Sequence, residues 1–490
     1  MDLTGDPARR PDAISGARLA DPATDSGEVR RVIAADRIVA DTAVRARLYR
    51  GRRVVWLDTP EDRLVERLRA ARRADVEIEG DYRTFIARHL ADYRPYYAAG
   101  ARVDASGSIA ATIEQIEQVL AAPMPGGTVV LRAELHEGLI ELGEGILESS
   151  LVHVLRRLAV RRCVVVASAR GRRTAEAAQR VGVGAGFRVD LVELPDGEPA
   201  KILEHQEQLF RRLAALHLDR SDPLIAIGDD ALIEAATFSA AVWLRGVPLV
   251  AVPLTTLGLI DTAIGGKGGI DLPGQGRNLL GAFHQPTATI LDVALVHDEP
   301  PVDRRAALAE AVKYGLVGEE GLLALLESRG REDGTAWPQA TELLELVERC
   351  ALAKRRVVLR DERDTGDVRI ALNLGHTLSH ALEVATGHRL RHGEAVAYGL
   401  RAALDIGVSI GVTPPAVAAR GQRLLRRLGL GQEAVDVTMA EVFDYIESDK
   451  KRKAGRLRWV LVGSAGIEVR DDVSSEVARA AVEAAVRGRA

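Results

Sequence analysis

Cysteine is scarce in this chain: Cys163 and Cys350 are the only two, far apart in apolar or helical surroundings. That usage excludes a disulfide framework and points to a reducing compartment. Long apolar runs are missing as well. No window approaches the roughly twenty apolar residues that a bilayer-spanning helix needs, and the opening MDLTGDPARRPDAISG has no apolar core of a signal peptide. A cytoplasmic protein without membrane contact is expected. Nor does one sign of charge dominate. The 66 Lys and Arg face 70 Asp and Glu, mixed along the chain, so no face is set aside for nucleic acid. The string GxxxxGK[ST] is also absent. GGKGG (Gly265 to Gly269) lacks both the first glycine at the right spacing and the hydroxyl residue, so nothing here wraps ATP phosphates in the P-loop manner.

What is present suits a soluble globular protein of two or three domains: 490 residues, 47% hydrophobic and 28% charged. Residues 1–28, rich in Pro, Gly, Asp, Ala and Arg, read as a flexible leader. Over residues 29–122 a short buried strand, RRVVWLD, runs into Thr59-Pro60-Glu61-Asp62, a helix start with a cap, an N1 proline and first-turn acids. EDRLVERLRAARR continues that helix. TFIARHLADYRPYYAAG, the strand-like RVDASG and the helix SIAATIEQIEQVLAA follow. The order of these pieces, with Arg94-Pro95-Tyr96-Tyr97 before the RVD strand, resembles the C-terminal half of shikimate kinase. The kinase's first strand and phosphate loop are missing, so a remnant retained for packing or linkage, without kinase activity, is expected.

After the linker APMPGG (Ala122 to Gly127), strand-like and helical strings alternate: TVVLRAEL, GLIEL, CVVVAS, TAEAAQRVGV, RVDLVEL, KILEHQEQLFRRLAAL, LIAIG and PLVAVPL. Alternation of this kind predicts a parallel sheet covered on both faces, with ligands at the carboxyl ends of its strands. From about Pro301 the pattern turns almost wholly helical. The expected fold is α/β: the kinase-like remnant, a Rossmann-like nucleotide-binding domain over 128–300, and an all-helical metal-binding domain over 301–490. The cleft between the last two is the default active site.

Three histidines mark that helical part. His376 and His380 lie four apart and share a helix face, and His392 opens a second helical run, HGEAVAYG. By spacing alone His376 and His380 form a metal pair, or else packed and surface histidines; both readings fit an isolated HxxxH.

Seven strings then stand in one order: LPDGEPAK, LRGVPLVAVP, IDTAIGGKGGI, GRNLLGAFHQP, LAEAVKYGL, DERDTGDVRIALNLGHTLSHALE and HGEAVAYG, closed by SDKKRKAGRLRWVLVGSAG. From about Thr128 almost to the C-terminus the chain resembles the 3-dehydroquinate synthase family. The resemblance implies one zinc (or cobalt) ion per subunit, held by Glu310, His376 and His392, with a position left open for substrate. It places His380 on the substrate side instead. The implied substrate is a seven-carbon keto-acid phosphate, whose two anions need fixed cations. Lys267, Lys313, Arg369, Asn373 and His380 are implied as catalytic, and Asp261, Arg277, Asn278, Lys354 and Lys450 as substrate contacts. Arg245 matches a position that reaches a neighbouring subunit's phosphate site, which implies a homodimer. Bound NAD would take a hydride from a ring carbon, phosphate would be eliminated, the hydride would return, and an intramolecular aldol step would close the new ring. The implied NAD positions are Asp196, Glu198, Lys201, Gly228, Asp229, Asp230, Glu234 and Thr255.

The chain departs from the family's pattern at that cofactor. A run of three glycines is usual after the strand LIAIG, where backbone N–H groups approach the pyrophosphate; here the place reads Gly228-Asp229-Asp230. Each carboxylate beside a dianion costs on the order of 1 kcal/mol at intermediate dielectric. Leu254 likewise stands where threonine is usual. Gly182-Val183-Gly184 ends a helix before a strand, the wrong order for a dinucleotide loop. The main reading is an NAD- and metal-dependent 3-dehydroquinate synthase. Two others are a cyclase acting on a substrate without the carboxylate, opposed by Arg369, Asn373 and His380, and a pseudoenzyme that scaffolds or regulates, suggested by Asp229 and Asp230.

Overall fold

A computed structural model describes residues 42–49, 55–71, 82–104, 127–273, 276–329, 340–448 and 457–487, with single positions between 106 and 118. The leader, most of the SIAATIEQIEQVLAA helix and Lys450 lie outside the described residues.

The apolar runs do what their composition dictates. A seven-stranded sheet is built from β3 (Thr128–Leu135), β4 (Gly138–Glu144), β5 (Arg162–Ala167), β6 (Arg188–Glu193), β7 (Leu224–Gly228), β8 (Leu249–Pro253) and β11 (Ala288–Asp292), in the order β3-β4-β11-β8-β7-β5-β6. Only β3 runs antiparallel to its neighbour; every other pairing is parallel. LIAIG, LVAVP and ATILD are buried along their whole length, as strands covered on both faces must be. Alternate residues feed opposite layers: Leu224 and Ala226 of β7 join the core shared with the helical part, while Ile225 and Ile227 join a second core on the other face. The expected Rossmann-like α/β domain is what forms.

Between β8 and β11 the glycine-rich stretch folds into a separate antiparallel hairpin, β9 (Lys267–Leu272) with β10 (Gly276–Phe283). The C-terminal part is helical: α8 (Pro301–Val317), α9 (Glu320–Arg329), α10 (Ala340–Arg360), α11 (His376–Ala385), α12 (His392–Ser409), α13 (Pro415–Arg427), α14 (Met439–Ser448) and α15 (Ser475–Val486). It also carries a hairpin, β12 (Trp459–Gly463) with β13 (Gly466–Arg470), inside the stretch expected to be all helix. Gly463 and Gly466 frame a two-residue turn, and Gly466 has φ +131°, which only glycine takes readily.

Of the N-terminal segment, the described pieces are α1 (Thr42–Tyr49), β1 (Val55–Asp58), α2 (Glu61–Ala71), α3 (Tyr82–Tyr97) and β2 (Ala101–Asp104), with β1 parallel to β2. Helix α1 docks on α10 through a buried ion pair. Arg45 is paired with Glu348, donates to Val130 O at 2.9 Å, and lies over the Tyr96 ring; Thr42 donates to the same carboxylate at 3.1 Å.

Candidate active site

A cleft of about 1550 Å³ opens where the carboxyl ends of the parallel strands meet the helical part. On its helical side three buried or half-buried donors converge. Glu310 lies mid-helix in α8 and is fully buried; His376 and His392 are the first residues of α11 and α12. Their ligand atoms all lie within 4.8 Å of one another, and His380 is not in the group. Nε2 of His376 is 3.4 Å and Nε2 of His392 is 3.3 Å from the same Glu310 oxygen.

The other ring nitrogens fix those orientations. Nδ1 of His376 bonds Leu374 O at 3.2 Å, and Nδ1 of His392 bonds the Glu383 carboxylate. Each partner keeps a proton on Nδ1 and leaves the Nε2 lone pair for an ion, as ligand-supporting contacts do. Burial alone would lower the His392 imidazole, but Glu310 and Glu383 outweigh it and hold it up to about 10, so an ion bound at Nε2 displaces a proton there. Burial would raise Glu383, yet His392, His380 and Arg277 bring it down to about 2. Two imidazoles and one carboxylate, with an open side on the cleft, fit a catalytic zinc or cobalt ion.

Around this trio stand lysines and an arginine, each paired with an acid. Lys313 is buried and ion-paired with Glu310; burial works against its ammonium, but Glu310 and Asp261 hold it above the usual lysine range. Lys354 donates at 2.8 Å both to the Asp261 carboxylate and to Asp261 O, and burial brings it down to about 8. Asp261 also accepts from the Tyr314 hydroxyl; Lys354 and Lys313 overcome its burial and keep it well below the usual carboxylate range. Lys267, at the base of the β9 hairpin, reaches Asp364 at 2.8 Å. Arg277 bridges Glu198 and Glu383, the latter at 3.1 Å. Asn278 and Asn373 line the cleft with His380. Arg369 differs from a free clamp. It is 1% exposed, donates to Gly265 O at 2.7 Å and Glu362 O at 2.6 Å, and braces the turn before Lys267.

At the sheet end of the cleft, Gly228 closes β7 and Asp229 caps helix α7 (Asp230–Val242), accepting from Leu232 N and from Gly197 N, each at 3.0 Å. Asp230 accepts from the Thr255 hydroxyl at 3.0 Å, and burial lifts its carboxyl to about 7. Glu198, Glu234 and Thr255 line this end with Ser168, Arg170 and Thr174. Room, position at the strand ends and flanking polar groups suit a dinucleotide; the Asp229-Asp230 turn alone runs against its pyrophosphate. Lys201 and Asp196 lie behind the wall. Lys201 is fully buried and holds Glu234 at 2.6 Å, while Asp196 accepts from Arg170 N at 3.0 Å. Arg245 is exposed, outside the cleft, on a 3₁₀ turn whose Leu244 and Arg245 both have positive φ.

Three residues here carried no assignment from sequence: Glu383, Tyr314 and Asp364. Glu383 follows His376 by seven positions, two helical turns, so helical periodicity was its available signal. Tyr314 follows Lys313 directly. Asp364 sits in an irregular loop and had no signal at all.

Residues 191–305 match the family model described as 3-dehydroquinate synthase N-terminal, and residues 307–452 match 3-dehydroquinate synthase C-terminal. A 3-dehydroquinate synthase of Nostoc punctiforme is 38% identical over 298 residues, 60% of this chain and 82% of the relative. That of Acaryochloris marina is 36% identical over 343 residues, 69% of this chain and 91% of the relative. Among solved structures, a 2-deoxy-scyllo-inosose synthase complexed with carbaglucose-6-phosphate, NAD+ and Co2+ has TM-score 0.63 at 22% identity, covering 70% of this chain and 96% of its own. A 2-epi-5-epi-valiolone synthase of Streptomyces hygroscopicus with NAD+ and Zn2+ has TM-score 0.60 at 23% identity, covering 66% and 90%. Those two share the fold. With more than a third of positions identical over most of each curated relative's length, the chain belongs to the 3-dehydroquinate synthase family.

Proposed function

We propose that the chain is an active 3-dehydroquinate synthase of the shikimate pathway, converting 3-deoxy-D-arabino-heptulosonate 7-phosphate to 3-dehydroquinate and phosphate. The observation that carries this is the convergence of Glu310, His376 and His392 on a cleft that also presents Lys267, Arg277, Lys313 and Lys354 and whose far end is the carboxyl end of a parallel sheet. Bound NAD supplies reversible hydride transfer, and a zinc or cobalt ion on the trio supplies Lewis acidity at a substrate oxygen. The chain's own groups do the rest. Lys267, Arg277 and Asn278 fix the substrate's anionic ends from the hairpin. Lys313, Lys354 and Asp261 form one buried charged group beside the metal ligands, where Asp261 accepts from a substrate hydroxyl and the Lys354 ammonium contacts the substrate. His380 and Asn373 contact the carboxylate side, with Arg369 bracing the turn that carries Lys267. Of the nucleotide positions, Glu198, Asp229, Asp230, Glu234 and Thr255 face the cofactor, while Asp196, Lys201 and Gly228 support them.

The domain assignments follow: nucleotide binding over 128–300, metal and substrate binding over 301–490, and a kinase-like segment before them that serves packing. Exposed Arg245 suits a homodimer in which it reaches its partner's phosphate site. Among the described residues no helix is long and apolar enough to cross a membrane, in keeping with work in the cytoplasm. The test is phosphate release from the keto-acid phosphate, with and without added NAD and zinc. Release that needs both is expected. No release under any condition, with no NAD binding by calorimetry, would sink the reading.

A further inference from the structure

An anion arriving at the end of β7 would ordinarily find free N–H groups at the start of α7. Here Asp229 has taken Leu232 N, and Gly197 N as well. The next side chain, Asp230, has one carboxyl oxygen on the Thr255 hydroxyl; its other oxygen, Oδ1, is buried and has no hydrogen-bond partner. A buried carboxylate oxygen with nothing to accept from is costly, whereas the same oxygen carrying a proton becomes a donor. We propose that Asp230 stands at the cofactor's end of the cleft as a neutral acid, so that NAD binding above neutral pH takes up a proton. This inference rests on the cofactor reading above.

The surroundings favour the neutral form. Asp229 and Glu234 on the same helix are both acids, and Lys201, the nearby cation, is occupied by Glu234 at 2.6 Å. The Thr255 hydroxyl and the nearby Thr262 hydroxyl, from the 255–262 turn, pull the other way and favour the carboxylate, but burial outweighs them; Asp261 is held by Lys354. No cation among these is paired with Asp230, and an incoming dianion strengthens its hold on the proton further. The direction with pH follows. With the free carboxyl near 7, Asp230 is already protonated in acid and affinity is flat there. As pH rises through 7 the proton must be supplied on binding, and affinity falls by up to about tenfold per pH unit until the bound form titrates too.

The experiment is calorimetry of NAD binding to the full chain between pH 6 and 9, in buffer pairs of different ionisation enthalpy. Expected are close to one proton taken up per NAD at pH 8, almost none at pH 6, and a matching loss of affinity. Asp230→Asn, which cannot ionise, should bind with neither uptake nor that loss. Asp229→Gly should bind more tightly while keeping the pH dependence. A wild-type affinity flat from pH 6 to 9 without uptake, matched by Asp230→Asn, overturns the inference and leaves the cofactor reading standing. If neither protein binds NAD at any pH while both remain folded by circular dichroism, both readings fall.

Discussion

Two hydrogen bonds decide which nitrogen His376 and His392 present to the candidate metal site, and the one from His392 to Glu383 is the more consequential. Glu383 is 4% exposed and is shared between His392 and Arg277, so it links the metal site to the hairpin that bears substrate-binding groups. Glu383→Gln keeps the shape but removes the charge that orients the ring. Metal affinity should fall about 10- to 100-fold, measured by chelator competition on the purified protein. A second residue-scale expectation concerns Lys354. Its proton leaves as pH rises through about 8, so a step that needs the ammonium loses rate above that pH. The kcat/KM profile should show a falling limb near 8, and Lys354→Arg, which stays charged, should move that limb upward. At this scale the sequence was partly legible. Glu310 and His392 are far apart in the chain, and spacing alone favoured His376 with His380. Only resemblance named the trio that converges, because the fold, not the local period, closes it.

Helices α8, α11 and α12 hold that trio by approaching closer than side chains permit. A Cβ on Gly393, next to His392, would lie 1.9 Å from Ala306 O of α8, and one on Gly399 would lie 1.8 Å from the carbonyl of Gly375, which precedes His376. Gly393→Ala should therefore push α12 off α8 and draw His392 away from Glu310. Loss of bound metal, read by elemental analysis, should accompany a lowered melting temperature. The contact of α1 with α10 makes a different prediction. Glu348→Gln leaves the Arg45 guanidinium buried without its counter-charge and should cost about 3–5 kcal/mol in denaturant unfolding. Arg45→Met combined with Glu348→Leu should recover most of it. Elements read from sequence best where composition was unambiguous. The apolar runs of β7, β8 and β11 allowed little else, whereas β9 and β10, rich in glycine and largely outside the core, showed neither alternation nor an apolar run.

For the whole molecule, the succession of an α/β domain and a helical domain was legible because periodicity changes near Pro301. The hairpin of β12 and β13 was not, since its strands are short and only the Gly463 and Gly466 turn announces it. What no local pattern could convey is the strand order, in which β11 lies between β4 and β8. Strand β4 ends at Glu144 and β11 begins at Ala288, so the ribosome must add more than a hundred residues before the two can pair. At bacterial-type synthesis rates of about 5–20 residues per second, the gap lasts on the order of ten seconds or more. Through that interval the inner edge of β4 has no neighbour, and a parallel pairing that must wait for a distant partner is intrinsically slow to form. The strand that completes the sheet thus also sets the earliest moment at which a nascent chain acquires the sheet's side of its ligand cleft, and until then its half-built sheet is open to strand pairing with other chains.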